Sequence, residues 1–291
     1  MLFHLVAYFD GGTPLATFRS GACLLHTNRL SLEYGISLSS GSDCEVLLPL
    51  FQRLFADSVS ASGRPPVDKK ARIALVLNAA TQLARALDGV FAIAFIDPAS
   101  GVVVIARDPY GVRPLYTGVL PDSGRVWASE MKAILPSGTA GAAPFPPGHV
   151  GVYDLATGSE LALARYHAVP WIKNPAYEEA VVARAHVRSA LEAAVEKRLL
   201  SDRPIGCLLS GGLDSSLVSA LVQRALRARG VTAPLRTFAI GMSAAPGTDL
   251  WFARQVATFI GSEHHGKCIV NLCGSICVMP RCNQHSQWHR L

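Results

Sequence analysis

The heptapeptide SGGLDSS at residues 210–216 limits what this chain can fold into more than any other feature. It follows a short apolar run at 205–209 and precedes a helix expected over 215–229, so it joins a strand to a helix. Backbone N–H groups at such a helix start carry partial positive charge, which makes the turn an anion site by construction. Gly211 and Gly212 let the backbone approach oxygen atoms closely, and the hydroxyls of Ser210, Ser215 and Ser216 add donors.

A Gly-Gly turn with an Asp and Ser helix cap is the plain alternative. The five specified letters of SGGxDS match by chance on the order of once per 10⁶ starting points at average residue usage. No Lys follows the glycines, so this is not the GxxxxGK[ST] loop that transfers a terminal phosphate. A pyrophosphate cradle is what remains: it holds two phosphates as a leaving unit and exposes the α-phosphorus of ATP to a carboxylate or amide. Asp214 is the expected Mg²⁺ ligand on that pyrophosphate, because hard oxygen donors suit the ion.

Around the loop the pattern alternates. Strands are expected at 205–209 and 235–240, and helices at 215–229 and 249–260, stopped by Gly230 and Gly261. A long helix over 177–200 precedes them, with Val187, Leu191, Val195 and Leu199 on one stripe. Strands alternating with helices predict a parallel, doubly wound sheet.

The first half reads differently. The runs at 90–97 and 102–107 form a hairpin through residues 98–101, and the first strand is apolar on both faces, as in a sheet covered on two sides. Helices are expected over 44–55, with Pro49 near the first turn, and over 73–87. Residues 58–70 read as a surface loop, and further strands are expected at 125–129 and 149–155. The first forty residues show weak periodicity and give only a short strand at 2–9. The expected organisation is a layered domain over 1–167, a linker at 168–176, an α/β segment over 177–265 and a separate tail at 266–291.

Composition fits two cores. The 291 residues are 50% apolar and only 16% charged, which excludes wholesale disorder. The net charge of +6 comes from Lys and Arg scattered along the chain, so no nucleic-acid partner is expected. No stretch has the pattern of a signal peptide or the length of a membrane span, and a cytoplasmic protein is expected. Cys268, Cys273, Cys277 and Cys282 crowd the end with His264, His265, His285 and His289. They contain no CxxC pair and fit no usual zinc framework, and the seven cysteines do not read as a disulfide scaffold.

Beyond the loop, ordered motifs resemble glutamine-hydrolysing asparagine synthetase. RLLSDRPIGCLLSGGLDSS at 198–216, TFAIGM at 237–242 and IGSEH at 260–264 are similar to its synthetase domain. LDGVFAIAFID at 87–97, RDPYGVRPLY at 107–116, SEMKAI at 129–134 and PPGH at 146–149 are similar to its glutaminase domain, and GSDCE at 41–45 to its glutamine-pocket segment. The resemblance implies an α/β chain: a layered α+β glutaminase-like domain of the Ntn type, then an incomplete doubly wound ATP-pyrophosphatase domain.

It also implies aspartate, ATP and a nitrogen donor (glutamine or ammonia) as substrates, Mg²⁺ as metal, and a β-aspartyl-AMP intermediate. A homodimer is carried as a further expectation. By the same resemblance Leu209 and Ile240 flank the adenine nucleotide, Ser210, Gly211, Gly212, Asp214, Ser215 and Ser216 take its pyrophosphate, and Asp43 holds the amino group of glutamine.

The departures define a second expectation. The family's glutaminase nucleophile is a Cys directly after the initiator Met, where this chain has Leu2, so no catalytic residue is assigned. RGPD and NGEIYN-type segments are absent. After His265 no SGEGSDE-type segment follows, and the change of texture there is explained best by a shifted frame or an unspliced intron. A catalytically inactive relative that binds ATP or a partner is therefore the alternative to an amide ligase.

Overall fold

The computed structural model describes residues 6–7, 19–25, 27–40, 42–121, 124–135, 138, 140–168, 180–201, 203–242, 247–272 and 275–279. The chain divides into two compact units, Met1–Pro175 and Ala176–Leu291.

The first unit has strands β1 (Val6–Ala7) and β2 (Arg19–Leu25), then helices α1 (Thr27–Tyr34), α2 (Leu47–Ala61) and α3 (Lys69–Ala86). Strands β3 (Asp88–Asp97), β4 (Val102–Arg107), β5 (Tyr116–Val119), β6 (Arg125–Ala128), β7 (Ala140–Pro144), β8 (His149–Asp154) and β9 (Glu160–Arg165) complete it. Two sheets result, ordered β2-β3-β4-β8-β9 and β1-β6-β5-β7, with every pairing antiparallel.

Alternation along β3 and β4 explains the layering. Phe91, Ile93, Phe95, Val102 and Val104 point to one face, where they pack on Leu50, Leu54, Val76, Ala80 and Leu83 of α2 and α3. Ala92, Ala94, Val103 and Ile105 point the other way, into a second core with Leu115, Trp127, Phe145 and Tyr153. The small alanines leave room for Trp127 and Tyr153, whose rings meet edge to face at 4.9 Å. This is the two-sided sheet that the apolar runs predict, and the turn between β3 and β4 closes on Gly101 at φ 62°.

Pro49 sits in the first turn of α2, where its missing N–H costs nothing. The expected loop at 58–70 is shorter than its composition suggests, because α2 runs on to Ala61. The Ser58 hydroxyl donates to the Leu54 carbonyl at 2.8 Å and accepts from the Asn78 amide at 3.1 Å, so a residue that usually favours turns is satisfied inside the helix. α3 then starts at Lys69, capped by Asp68, whose carboxylate accepts from the Ala71 N–H at 2.7 Å.

The second unit has α4 (Ala180–Arg198), β10 (Gly206–Leu208), α5 (Leu213–Ala228), β11 (Arg236–Gly241), α6 (Asp249–Ile260), β12 (Glu263–Leu272) and β13 (Ser275–Met279). β10, β11 and β12 are parallel neighbours in that order, and β13 adds antiparallel to β12. α6 ends on Gly261 in the left-handed conformation at φ 70°, as its place in the sequence requires. α5 packs over Cys207 and α6 over Leu209 and Ala239, on one face of the sheet, and α4 lies on α5 through Val195, Leu199 and Val222. Of the stripe expected on α4, Val195 and Leu199 are buried, whereas Val187 is exposed.

Of the strand expected at 2–9 only β1 lies within the described residues, and of the linker at 168–176 only residue 168. Among the described residues no helix is long and apolar enough to cross a membrane.

Candidate functional site

The loop at 210–216 leaves the carboxyl end of β10 and enters α5, the place where parallel α/β sheets hold their ligands. Gly211 adopts φ +83°, and a β-carbon there would stand 2.5 Å from Phe252 Cβ and 2.6 Å from the Ala253 nitrogen. Only glycine lets the loop both turn and lie against the first turn of α6. Gly212 is the N-cap of α5, in an extended conformation, and a β-carbon on it would meet nothing nearer than Ser210 Oγ at 3.6 Å.

The three serines hold the loop closed. The Ser210 and Ser215 hydroxyls lie 2.9 Å apart, and Ser215 Oγ accepts from the Ser210 N–H at 3.3 Å. Ser215 and Ser216 both donate to the Gly212 carbonyl, at 3.2 and 2.7 Å. Their hydroxyls therefore shape the turn, and the first-turn N–H groups of α5, which have no intrahelical acceptor, are left to meet an anion.

Beside the loop lies a cleft of about 550 Å³ lined by Leu208, Leu209, Ser210, Phe238, Ala239, Ile240, Asp249, His265 and Lys267. Of the residues singled out from sequence, Leu209, Ser210 and Ile240 come together in its wall. Leu209 is almost wholly buried against α6, whereas Ile240 is 61% exposed on the cleft face. Asp214 lies on the exposed first turn of α5 and outside the lining. Phe238 and His265, on neighbouring strands in register, stack with centroids 5.2 Å apart and planes 18° apart, giving the cleft a flat aromatic side. These two residues and Lys267 were not assigned roles from the sequence. Each belongs to a strand whose neighbour is set by crossover connections, and the only available signal was the alternation at 263, 265 and 267.

On the opposite face of β10, Cys207 is half-buried, and burial pushes its thiol up from the ordinary value, which disfavours the thiolate. Among the described residues no group of three or more His, Cys, Asp or Glu side chains gathers to hold a metal.

Asp43 belongs to the first unit. It opens the 3-10 turn Asp43–Val46, which is anchored by the fully buried Val46 and Leu47. Its carboxylate accepts from the Cys44 thiol at 3.5 Å. Farther along the same unit, Arg107 and Asp108 organise the segment at 108–114. The Arg107 guanidinium donates to the carbonyls of Arg113, Phe145 and Gly111 at 2.8, 2.6 and 2.9 Å. The Asp108 carboxylate accepts from the N–H groups of Phe91, Tyr110, Val112 and Arg113 at 2.9 to 3.3 Å. Neither charge is free for a substrate.

Comparison with known proteins matches the two units to two family models. A glutamine amidotransferase domain matches residues 25–136, and an asparagine synthase domain matches residues 186–271. Glutamine-hydrolysing asparagine synthetases are 42% identical over 197 residues in Cricetulus griseus, 41% over 203 in Gallus gallus and 40% over 198 in Homo sapiens. Over these regions the chain is similar to the asparagine synthetases. The matches cover 62 to 63% of the chain and 35 to 36% of those proteins, so it spans about a third of the length of the curated relatives it matches. The order of the two matched domains agrees with the motif order, and the matched synthase region holds both the loop and the cleft.

Proposed function

We propose that this chain binds ATP at the 210–216 loop and adenylates the β-carboxylate of aspartate, with ammonia, free or released from glutamine, then forming asparagine. The observation that carries this reading is the Gly211 turn, packed on α6, which joins Ser210 in the cleft wall to the start of α5. The α5 N-terminus grips the β- and γ-phosphates, and the apolar wall at Leu209, Phe238 and Ile240 takes the adenine. A carboxylate oxygen of aspartate attacks the α-phosphorus, the bond to the bridging oxygen breaks, and pyrophosphate leaves with the electron pair. Ammonia then attacks the acyl carbon, loses a proton and expels AMP.

Magnesium fits the donor chemistry here. Asp214 would supply one hard carboxylate oxygen, with phosphate oxygens and waters supplying the rest, which is the usual mode for this ion. When bound, it would neutralise charge on the departing pyrophosphate. Asp43 is assigned to the α-amino group of glutamine in the first unit, and residues 168–176 to the link between the two domains.

Two measurements test the reading. Titration of the full chain with ATP should show binding that inorganic pyrophosphate competes away, and aspartate should drive exchange of labelled pyrophosphate into ATP. Absence of ATP binding would overturn the site. Binding without exchange would leave a nucleotide-binding module that does not form the adenylate.

A further inference from the structure

Glu45 closes a ring of hydrogen bonds around Asp43. Its Oε1 accepts from the N–H and hydroxyl of Ser39 at 2.6 and 2.7 Å, and its Oε2 from the N–H and hydroxyl of Ser40 at 2.7 and 2.6 Å. The Ser40 hydroxyl oxygen accepts from the Ser42 N–H at 3.2 Å, and the Ser42 carbonyl accepts from the Glu45 N–H at 3.2 Å. The stretch is exposed at Ser39, Ser40 and Ser42, yet the residues that flank it are fixed: Leu38 and Cys44 pack on the helix-side core, and Val46 and Leu47 are wholly buried.

Four charge-assisted bonds to one surface carboxylate order the backbone far more than solvation of a lone Glu requires. The same bonds hold the Glu45 carboxyl down at about 2, so the clamp stays ionised throughout the neutral range. Asp43 lies between Ser42 and Glu45 in this turn. The backbone that carries its carboxylate is therefore the backbone that the clamp orders.

We infer that Glu45 is a positioning residue for glutamine: by clamping Ser39 and Ser40 it sets the turn that directs the Asp43 carboxylate at the substrate's α-ammonium group. This inference rests on the assignment of Asp43 to that group. It has a selective consequence, because Asp43 meets only the amine. A ligand that lacks the amine should not sense Glu45.

The test is titration of the full chain with L-glutamine and with 4-carbamoylbutanoate, the same molecule without its α-amino group. Glu45→Ala should weaken L-glutamine about tenfold, equivalent to about 1.4 kcal/mol, and shift the amine-free analogue by less than about twofold. Glu45→Gln, which keeps one acceptor oxygen, should recover part of the loss. If Glu45→Ala does not fold, the Ser39→Ala/Ser40→Ala double variant removes two of the four bonds from the other side and should give the same selective loss. Asp43→Ala separates the two layers of the inference, since it should abolish the wild-type preference for L-glutamine. If it does so while the clamp variants weaken both ligands equally or neither, the role of Glu45 is refuted and that of Asp43 stands. If wild type has no preference, or Asp43→Ala keeps it, the Asp43 assignment falls and the inference with it.

Discussion

Gly211 and Phe252 are so close that a β-carbon on the glycine would lie 2.5 Å from the β-carbon of the phenylalanine. The contact ties the turn at 210–216 to the first turn of α6 and separates two adjacent glycines by their surroundings. Gly211→Ala must leave a left-handed conformation that costs roughly 1–2 kcal/mol for an L side chain, and must also push α6 away. It should lower ATP affinity at least about tenfold and lower the melting temperature, whereas Gly212→Ala, with φ −71° and open space, should change stability by less than about 1 kcal/mol. Paired ATP titrations and melting curves check this, and equal behaviour of the two variants would refute the packing argument.

Ile240 offers a cleaner probe of the cleft than Leu209. Leu209 is 1% exposed and belongs to the packing of α6, so truncating it confuses binding with folding. Ile240 is 61% exposed, and Ile240→Ala should leave the urea midpoint nearly unchanged while weakening ATP by about five- to tenfold through lost apolar contact. A variant that binds ATP like wild type would remove Ile240 from the nucleotide site.

How much of this could be read in advance differs between the two halves. In the second half Gly230 and Gly261 mark helix ends and the loop is specific, so strand, turn and helix all declare themselves locally. In the first half the hairpin of β3 and β4 is legible because both faces are apolar. β2, with the sequence RSGACLL, has no clear periodicity of its own and becomes a strand by pairing with β3 along its whole length. β7, AGAAP, is likewise defined by its partner β5, and β9 escaped notice beside the stronger run of β8. The cleft residues Phe238, His265 and Lys267 were hidden for the same reason: parallel neighbours are chosen by crossovers, which no local pattern records.

Asp108 is 1% exposed and accepts four backbone N–H groups. Asp108→Ala strands those donors and leaves the Arg107 guanidinium without its neighbouring charge, so a loss of about 3–5 kcal/mol is expected. Asp108→Asn, which keeps one acceptor, should fall between. Urea unfolding of the three proteins measures this, and a loss under about 1 kcal/mol for the alanine variant would contradict the structural role.

His264 predicts a pH dependence. Its Nδ1 lies 2.9 Å from Thr237 Oγ1, and burial, then Arg254 and His265, lower its pKa below the ordinary 6.5. The neutral ring is therefore favoured in the folded chain. As pH falls below about 6.5 the unfolded chain takes up the proton first, so His264 contributes stability above that value and loses it as pH falls through its folded pKa. Between pH 7.5 and 5 the wild type should lose stability with a slope of up to about 1.4 kcal/mol per pH unit from this group, and His264→Gln should flatten that part of the profile. An unchanged slope in the variant would assign the effect elsewhere.

Leu208, Phe238 and Ile240 lie on the sheet face opposite α5 and α6, and all three are substantially exposed. If nucleotide covers that surface as proposed, occupancy and folding become one linked equilibrium. ATP at a hundred times its dissociation constant would add about 2.7 kcal/mol to the unfolding free energy of the second unit. On the proposed reading its apparent melting point would be a property of the nucleotide concentration around it as much as of its sequence, and purification without nucleotide would select the weakest form of the fold.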